Sequence, residues 1–549
     1  MKANIARILP VLAFLPAAAY AQVPGDLGSD QRHREDLREA YRIEERIENA
    51  RKSYGGVEIE SPQTPLPATD KLSDEKVMQL QQIVFSPAPQ AVPEDKMREA
   101  TKTYIGQKVS MRDLYRLLGE IDGVYDAAGV LGRAVLPVQD IKNGIVTVQI
   151  IEAHIGKVTS KGGHQFRDWY VHKTVPLKSG APIVIKPMEG ALIRYNAANE
   201  SQLQAELVSG TNFGETDVLL SVKEPARFSA TAFADNAGRV ATGRFRGGVY
   251  GGVKSILGLD EALTFSADHS DGTDGFGIHY RQPISPWGTF ASVGYDSSKY
   301  KIINGTVESL KVDGDDQTIS LGLSQLLWAR ATWTLSANAG YVISKSETRF
   351  EGKKLVGEDL GIYSLGLSLS RRDTKGIWEV NQNAAQVQEH DDRTGSFRYY
   401  TGSLMRVQWL TPKWTLIGRA SYQYVEQEIV SSRQFQIGGV ATVRGFEEGL
   451  LFGEDGYAAT LELRHPLLDR KFCKLEGLAF IDHGAVYSED SPTQRCRKLT
   501  SAGIGTNIAL GKYIGARVAY AWPIKSYSDL EKTDTPASGR FHFSVQASF

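Results

Sequence analysis

Trp333-Thr334-Leu335-Ser336-Ala337-Asn338-Ala339-Gly340-Tyr341-Val342-Ile343 decides how the chain is to be read. Trp333, Leu335, Ala337, Ala339, Tyr341 and Ile343 alternate with Thr334, Ser336, Asn338, Gly340 and Val342. Successive side chains of a strand point to opposite faces, so this period of two spells a strand with one apolar and one largely small or polar face. Ile514, Ala516, Val518, Tyr520 and Trp522 repeat the pattern, as do Phe541, Phe543, Val545, Ala547 and Phe549. Working outward, the alternation fills residues 226–549, where helical periodicity is missing.

Short and long connections alternate along this region. The short ones include Gly258-Leu259-Asp260, Ser285-Pro286-Trp287, Ala329-Arg330, Lys375-Gly376, Thr411-Pro412-Lys413, Asp469-Arg470-Lys471 and Gly511-Lys512. Longer polar stretches, such as 352–359 and 526–538, read as loops between them. Short turns on one side and long loops on the other are the pattern of an outer-membrane barrel, and the segments number about sixteen, an even count such barrels allow. Trp287, Trp328, Trp333, Trp378, Trp409 and Trp414 cluster at the short turns, where an interfacial aromatic girdle belongs. The fold class expected is a membrane all-β barrel of about 16 antiparallel strands at 226–549. Glu462 and Arg464 share one face of 458–465, opposite Ala459, Leu461 and Leu463, so that face should line the lumen.

Composition agrees. The 549 residues carry a formal net charge of −1, which gives no basis for nucleic-acid binding. Mean hydropathy is −0.28, compatible with a barrel whose strands average to neutral. With 54 Gly, 23 Tyr and 20 Phe but only 2 Cys, the chain suits many strands and tight turns and does not suit a disulfide or metal scaffold. A bilayer-spanning strand would separate Cys473 from Cys496, so no disulfide is expected.

The N-terminal region divides into shorter pieces. Lys2, Arg7, the apolar stretch 8–19 and Ala19-Tyr20-Ala21 read as a signal peptide over 1–21. Within 22–52, residues 30–52 have helical composition with seven acidic and seven basic side chains, either a solvated spacer or a plug in a wet cavity. Residues 53–70 form a linker in which Gly55-Gly56, Pro62, Pro65 and Pro67 should break any regular element. Residues 71–225 change texture. Strand, helix, helix, strand, strand succeed one another twice, which gives two α+β units at 71–152 and 153–225, against one larger α+β domain. The segment 131–138, beside the helix expected at 111–125, is a candidate edge for binding an extended peptide, or simply a solvated edge.

Two motifs of the barrel region go together. Gly438-Gly439-Val440-Ala441-Thr442-Val443-Arg444-Gly445-Phe446 lies in a long connection, and Phe480-Ile481-Asp482-His483-Gly484 lies in a strand. If Phe480 and Asp482 face inward with Glu476, then Gly477, Ala479 and Ile481 face lipid, and Arg444 carried inward could pair with Asp482. Gly445 would supply a backbone conformation closed to other residues, and Phe446 an apolar anchor. No metal-peptidase, nucleophile-elbow or Walker motif is present, so no enzyme activity, metal or cofactor is expected.

These motifs resemble the two-partner secretion outer-membrane transporters (TpsB; the FhaC/ShlB/HecB-like family). Val443-Arg444-Gly445-Phe446 matches the family's loop motif, and Phe480, Asp482 and Gly484 its strand motif. Asp235, Asn236, Gly238, Thr242 and Gly243 resemble the first barrel hairpin, and Phe549 the signal read by the barrel-assembly machinery. The resemblance implies that the two α+β units are POTRA domains and that 22–52 holds the plug helix. It implies a pore in the outer membrane, POTRA domains in the periplasm, and a large secreted exoprotein bound unfolded through them. Its rivals are a barrel-assembly insertase, whose relatives usually carry more POTRA domains, and a passive porin, which needs none.

Overall fold

The computed structural model describes residues 59–60, 73–161, 166–305, 308–390, 395–488, 496–527 and 539–549. The signal-like segment 1–21 and the charged segment 30–52 lie outside the described residues. Two compact units emerge, Gly55–Pro225 and a second one that contains Ala226–Phe549.

The smaller unit holds two α+β domains. In the first, Ile145–Glu152 is the central strand, parallel to Gln82–Phe85 and antiparallel to Gly132–Val135. Val146, Val148 and Ile150 turn inward from it and meet Leu114, Leu117, Leu118 and Ile121 of the helix Met111–Ala128. That helix starts where it does because Ser110 and Asp113 form a reciprocal capping box, and it stops at Gly129, whose φ of 69° suits glycine. In the second domain, Glu215–Lys223 pairs antiparallel with Gln202–Ser209 and parallel with His154–Lys161. Helices Asp168–Thr174 and Ile185–Ala198 accompany this sheet, and Leu192, Tyr195, Leu203 and Leu207 are fully buried.

The linker reading needs correction. Ile59–Glu60 is a strand, parallel to Gln202–Ser209 at Ala205 and Glu206. Strand addition uses backbone groups, so two residues between Gly56 and Pro62 suffice despite the flanking helix and strand breakers.

The larger unit is a closed antiparallel barrel of sixteen strands. They are β1 Phe228–Asp235, β2 Arg246–Lys254, β3 Ala262–Ser270, β4 Thr273–Ser285, β5 Thr289–Lys301, β6 Val312–Ala329, β7 Trp333–Phe350 and β8 Lys353–Asp373. Then follow β9 Gly376–Glu389, β10 Ser396–Trp409, β11 Thr415–Val425, β12 Asp455–Asp469, β13 Cys473–Tyr487, β14 Cys496–Leu510, β15 Ile514–Tyr527 and β16 Arg540–Ser548. β1 pairs with β16 and closes the cylinder, which leaves no open edge for lipid to strand.

The seven short connections named above all fall at one end, together with six of the eight tryptophans, although the opposite end is not all long loops: the turns Asp271-Gly272 and Glu351-Gly352 there are just as short. Outward residues are apolar, aliphatic and aromatic alike: Leu365, Leu321, Leu461 and Ile481 are exposed, and so are Phe276, Tyr363 and Trp522. Residues 352–359 are not a loop. From Lys353 onward they extend β8, which pairs with β7 beyond the last β8–β9 pair at Leu360 and Glu389. A strand that has left the bilayer has no need of apolar alternation, so its polar residues disguised it.

Candidate functional site

Between β11 and β12 the chain turns back into the barrel. Ile429 and Val430 pack on Leu360, Ile362, Val387 and Phe397, side chains of β8–β10 that point inward. Two short strands, Phe435–Ile437 and Leu451–Gly453, then pair as a stalk. The tip between them turns on Gly438, Gly439 and Gly449, with φ of 113°, 95° and 62°. Thr442 braces it: its Oγ1 accepts from the Gly438 N–H at 2.9 Å and donates to the Gly438 carbonyl at 3.1 Å. Val443 and Phe446 bury themselves among Phe435, Ile437, Leu451, Val486 and Leu499.

This tip delivers Arg444 to the wall. Its Nε and Nη2 donate to Asp482 Oδ2 and Oδ1, both at 2.8 Å, and its backbone N–H reaches Oδ2 at 3.1 Å. Nη1 donates to Glu462 Oε2 at 2.7 Å. The guanidinium carbon lies 3.3 Å from the centre of the Phe480 ring. A two-pronged fork onto one carboxylate, a third donor onto another and a ring face beneath use the planar geometry that only arginine has. Arg444, Asp482 and Glu462 are all buried, at 3%, 0% and 0% exposure.

The network extends along the wall. Arg464 Nη2 lies 2.6 Å from Glu462 Oε1, and Arg517 Nη2 donates to Glu462 Oε2 at 2.8 Å. Glu476 is 3.7 Å from Arg464 and accepts from Asn507 at 3.2 Å. Three guanidiniums thus meet three carboxylates. Losing a fully buried member, Arg444 or Asp482, typically costs ~3–5 kcal/mol, because the partner is left charged and unpaired.

Two glycines make room rather than bend. Gly445 is not among the residues with positive φ, which corrects the conformational role expected of it. A Cβ there would lie 2.6 Å from Ser501 Cβ and 3.1 Å from Pro523 N, so its use is close approach to β14 and β15. Its N–H donates to Ser501 Oγ at 3.1 Å. A Cβ on Gly484 would press on Ile437 and Val443 at 3.1 and 3.3 Å.

The other motif residues lie away from this cluster. Asp235 is buried and takes Arg246 Nε and Nη2 at 3.0 and 2.8 Å. The Thr242 carbonyl accepts from Ser270 Oγ and the Gly272 N–H. Gly238 and Gly243 approach so closely that a Cβ on Gly238 would sit 2.1 Å from the Gly243 carbonyl oxygen. Phe549 exchanges backbone bonds with Ala230 of β1. Cys473 and Cys496 are both free thiols.

A family profile described as haemolysin secretion/activation protein ShlB/FhaC/HecB matches residues 214–508, more than half of the chain. The chain belongs to this family. A second profile, POTRA domain, ShlB-type, matches residues 78–153 of the transporter. Among curated relatives, the heme/hemopexin transporter protein HuxB of Haemophilus influenzae (strain 86-028NP) is 22% identical over 467 residues, 80% of this chain and 82% of the relative. The outer membrane transporter CdiB of Dickeya dadantii is 21% identical, over 80% and 81%. Among solved structures, CdiB from Escherichia coli superposes with a TM-score of 0.73 at 18% identity, covering 95% of this chain and 99% of that one.

The protein is therefore an outer-membrane translocation pore of two-partner secretion, with its POTRA domains in the periplasm. Sequence reading missed Glu462 as the second acceptor of Arg444, and also Ser501, Arg517 and His542. Alternation did place Glu462 on an inward face; what it cannot give is the depth to which a loop descends.

Proposed function

We propose that the exported partner is captured unfolded at the edge strand Gln202–Ser209 of the second POTRA domain, and that it passes a pore whose inward loop is held by the Arg444 clasp. The observation that carries the capture step is the chain's own strand Ile59–Glu60, hydrogen-bonded in parallel to that edge. An edge that takes one extended segment through backbone groups can take another, largely regardless of its side chains. The edge formed by Gly132–Val135 suits this less well: the Ala134 N–H is already used by Asp122 Oδ1 at 2.7 Å, and the Leu131 N–H by the Ile183 carbonyl at 3.0 Å.

Cargo then competes with the linker for the edge. The charged segment 30–52, the proposed plug, precedes that linker in sequence, so displacing the strand frees the plug's tether. The transporter performs no reaction of its own in this scheme, and folding of the cargo outside the cell biases its movement. Ile59→Pro removes a backbone donor and disfavours the paired strand. It should tighten binding of an unfolded segment of the exported partner to the full-length protein in detergent, measured by fluorescence anisotropy. Unchanged affinity would remove the competition step. Deletion of 30–52 should raise single-channel conductance in planar bilayers, and equal conductance would remove the plug.

A further inference from the structure

The join that closes the barrel is short. β1 pairs with β16 over residues 231–235 against 544–548, extended at one end by Ala230 with Phe549 and at the other by a single bond from the Asn236 N–H to the Phe543 carbonyl at 3.3 Å. On its other side β16 pairs with β15 from Arg540 to Ala547. Residues 540–542 therefore have a strand on one side and no backbone partner on the β1 side. Asn236 stitches part of this gap. Its Oδ1 accepts from the Phe543 N–H at 2.9 Å, and its Nδ2 donates to the Phe541 carbonyl at 2.7 Å.

The inward loop spans the same gap. On the β1 bank, Arg239 Nη2 donates to Gln436 Oε1 at 2.7 Å. On the β16 bank, Arg540 Nη1 donates to Glu447 Oε1 at 2.7 Å, and His542 Nε2 lies 2.5 Å from the Arg444 carbonyl oxygen. Arg239 and Arg540 are both buried, and neither belongs to the motifs that mark the family resemblance. Hydrogen bonds to charged groups in a water-poor site are among the stronger ones available.

We propose that Arg239 and Arg540 make the inward loop a staple across the barrel's closing join. They are positioning residues: with the loop seated, it carries part of the work of holding β16 against the first hairpin where backbone pairing has run out. The reading rests on the pore being a closed barrel, and not on how cargo is captured.

The experiment is a cycle that combines the arginine variants with a cross-link at the join. Thr231 Oγ1 and Ser548 Oγ are 3.0 Å apart. The neighbouring pair Ala230–Phe549 exchanges both backbone bonds, so Thr231 and Ser548 form a close, non-hydrogen-bonded pair suited to a disulfide. In full-length protein lacking the native thiols (Cys473→Ser, Cys496→Ser), the temperature at which the folded barrel converts to the unfolded form in SDS is read for four forms. These are the parent, Arg239→Gln/Arg540→Gln, and each of the two with Thr231→Cys/Ser548→Cys oxidised. The arginine variant should convert at a lower temperature, and the disulfide should raise the variant by more than it raises the parent, with reduction abolishing the excess. An unchanged conversion temperature, or equal gains from the disulfide in both backgrounds, overturns the staple. Should the double variant fail to assemble, the single variants Arg239→Gln and Arg540→Gln run through the same cycle.

Discussion

The two units place charge on opposite sides. In the POTRA unit the inaccessible residues include Leu80, Met97, Leu117 and Ile121, and most charged side chains face water. In the barrel Glu462 and Asp482 are inaccessible, while Leu321, Leu365 and Ile504 lie on the outer surface. One rule, apolar groups out of water, produces both patterns once the solvent is specified. The POTRA domains have water outside and must build a dry centre. The barrel has hydrocarbon outside, so its centre is where charge can sit, provided every charge is paired. Specificity of inner packing then comes from ionic geometry, the Arg444 fork, together with the apolar seats of Val443 and Phe446.

The largest effect should come from breaking this ionic centre. Arg444→Ala or Asp482→Ala should each destabilise the barrel by ~3–5 kcal/mol in urea unfolding of lipid-reconstituted protein. Arg444→Met/Asp482→Leu should be milder than the two single losses added together, since neither charge is then stranded. Additive losses would mean that the pair is not coupled. Secretion of the partner should fall in the single variants even where the barrel assembles.

Next in size is the apolar centre. Ile121→Ala in the first POTRA domain should cost ~2–5 kcal/mol, read as lost hydrogen-exchange protection of Ile145–Glu152 in the full-length protein. Leu365→Ala, outward on β8, should cost far less by the same assay on its own strand, because acyl chains refill the space. Equal costs would erase the distinction between the two units.

Smallest is the helix cap. Ser110→Ala should cost ~1 kcal/mol. The Ser110 N–H and then its hydroxyl hold the Asp113 carboxyl below the ordinary carboxylate range. The stability this provides is present in full above the unfolded pKa and is lost as pH falls through the lower folded value. Protection of Met111–Ala128 should therefore decline in acid, and Asp113→Asn should flatten that part of the decline.

How much was legible beforehand follows from the same contrast. Strand alternation, short turns and tryptophans at one end define the barrel because lipid enforces a strict period of two. The helix at Met111–Ala128 was legible from Leu114, Leu117, Leu118 and Ile121 on one face. Residues 352–359 were misread because they extend beyond the membrane, where that period lapses. The strand Ile59–Glu60 was invisible because backbone pairing leaves no side-chain signature. At the site, Arg444 and Asp482 were legible as a pair. Glu462, Ser501, Arg239 and Arg540 were not, since their roles depend on where a long loop lands.

The central claim is that this loop lies inside the barrel against β13. Val443 Cγ2 is 3.3 Å from the position a Cβ on Gly484 would take. In protein lacking Cys473 and Cys496, Val443→Cys/Gly484→Cys should form a disulfide in intact outer membranes, visible as a mobility change without reductant. Val443→Cys/Ile481→Cys, which puts the second thiol on the lipid face, should not. Absence of the first bond, or formation of the second, would contradict the account.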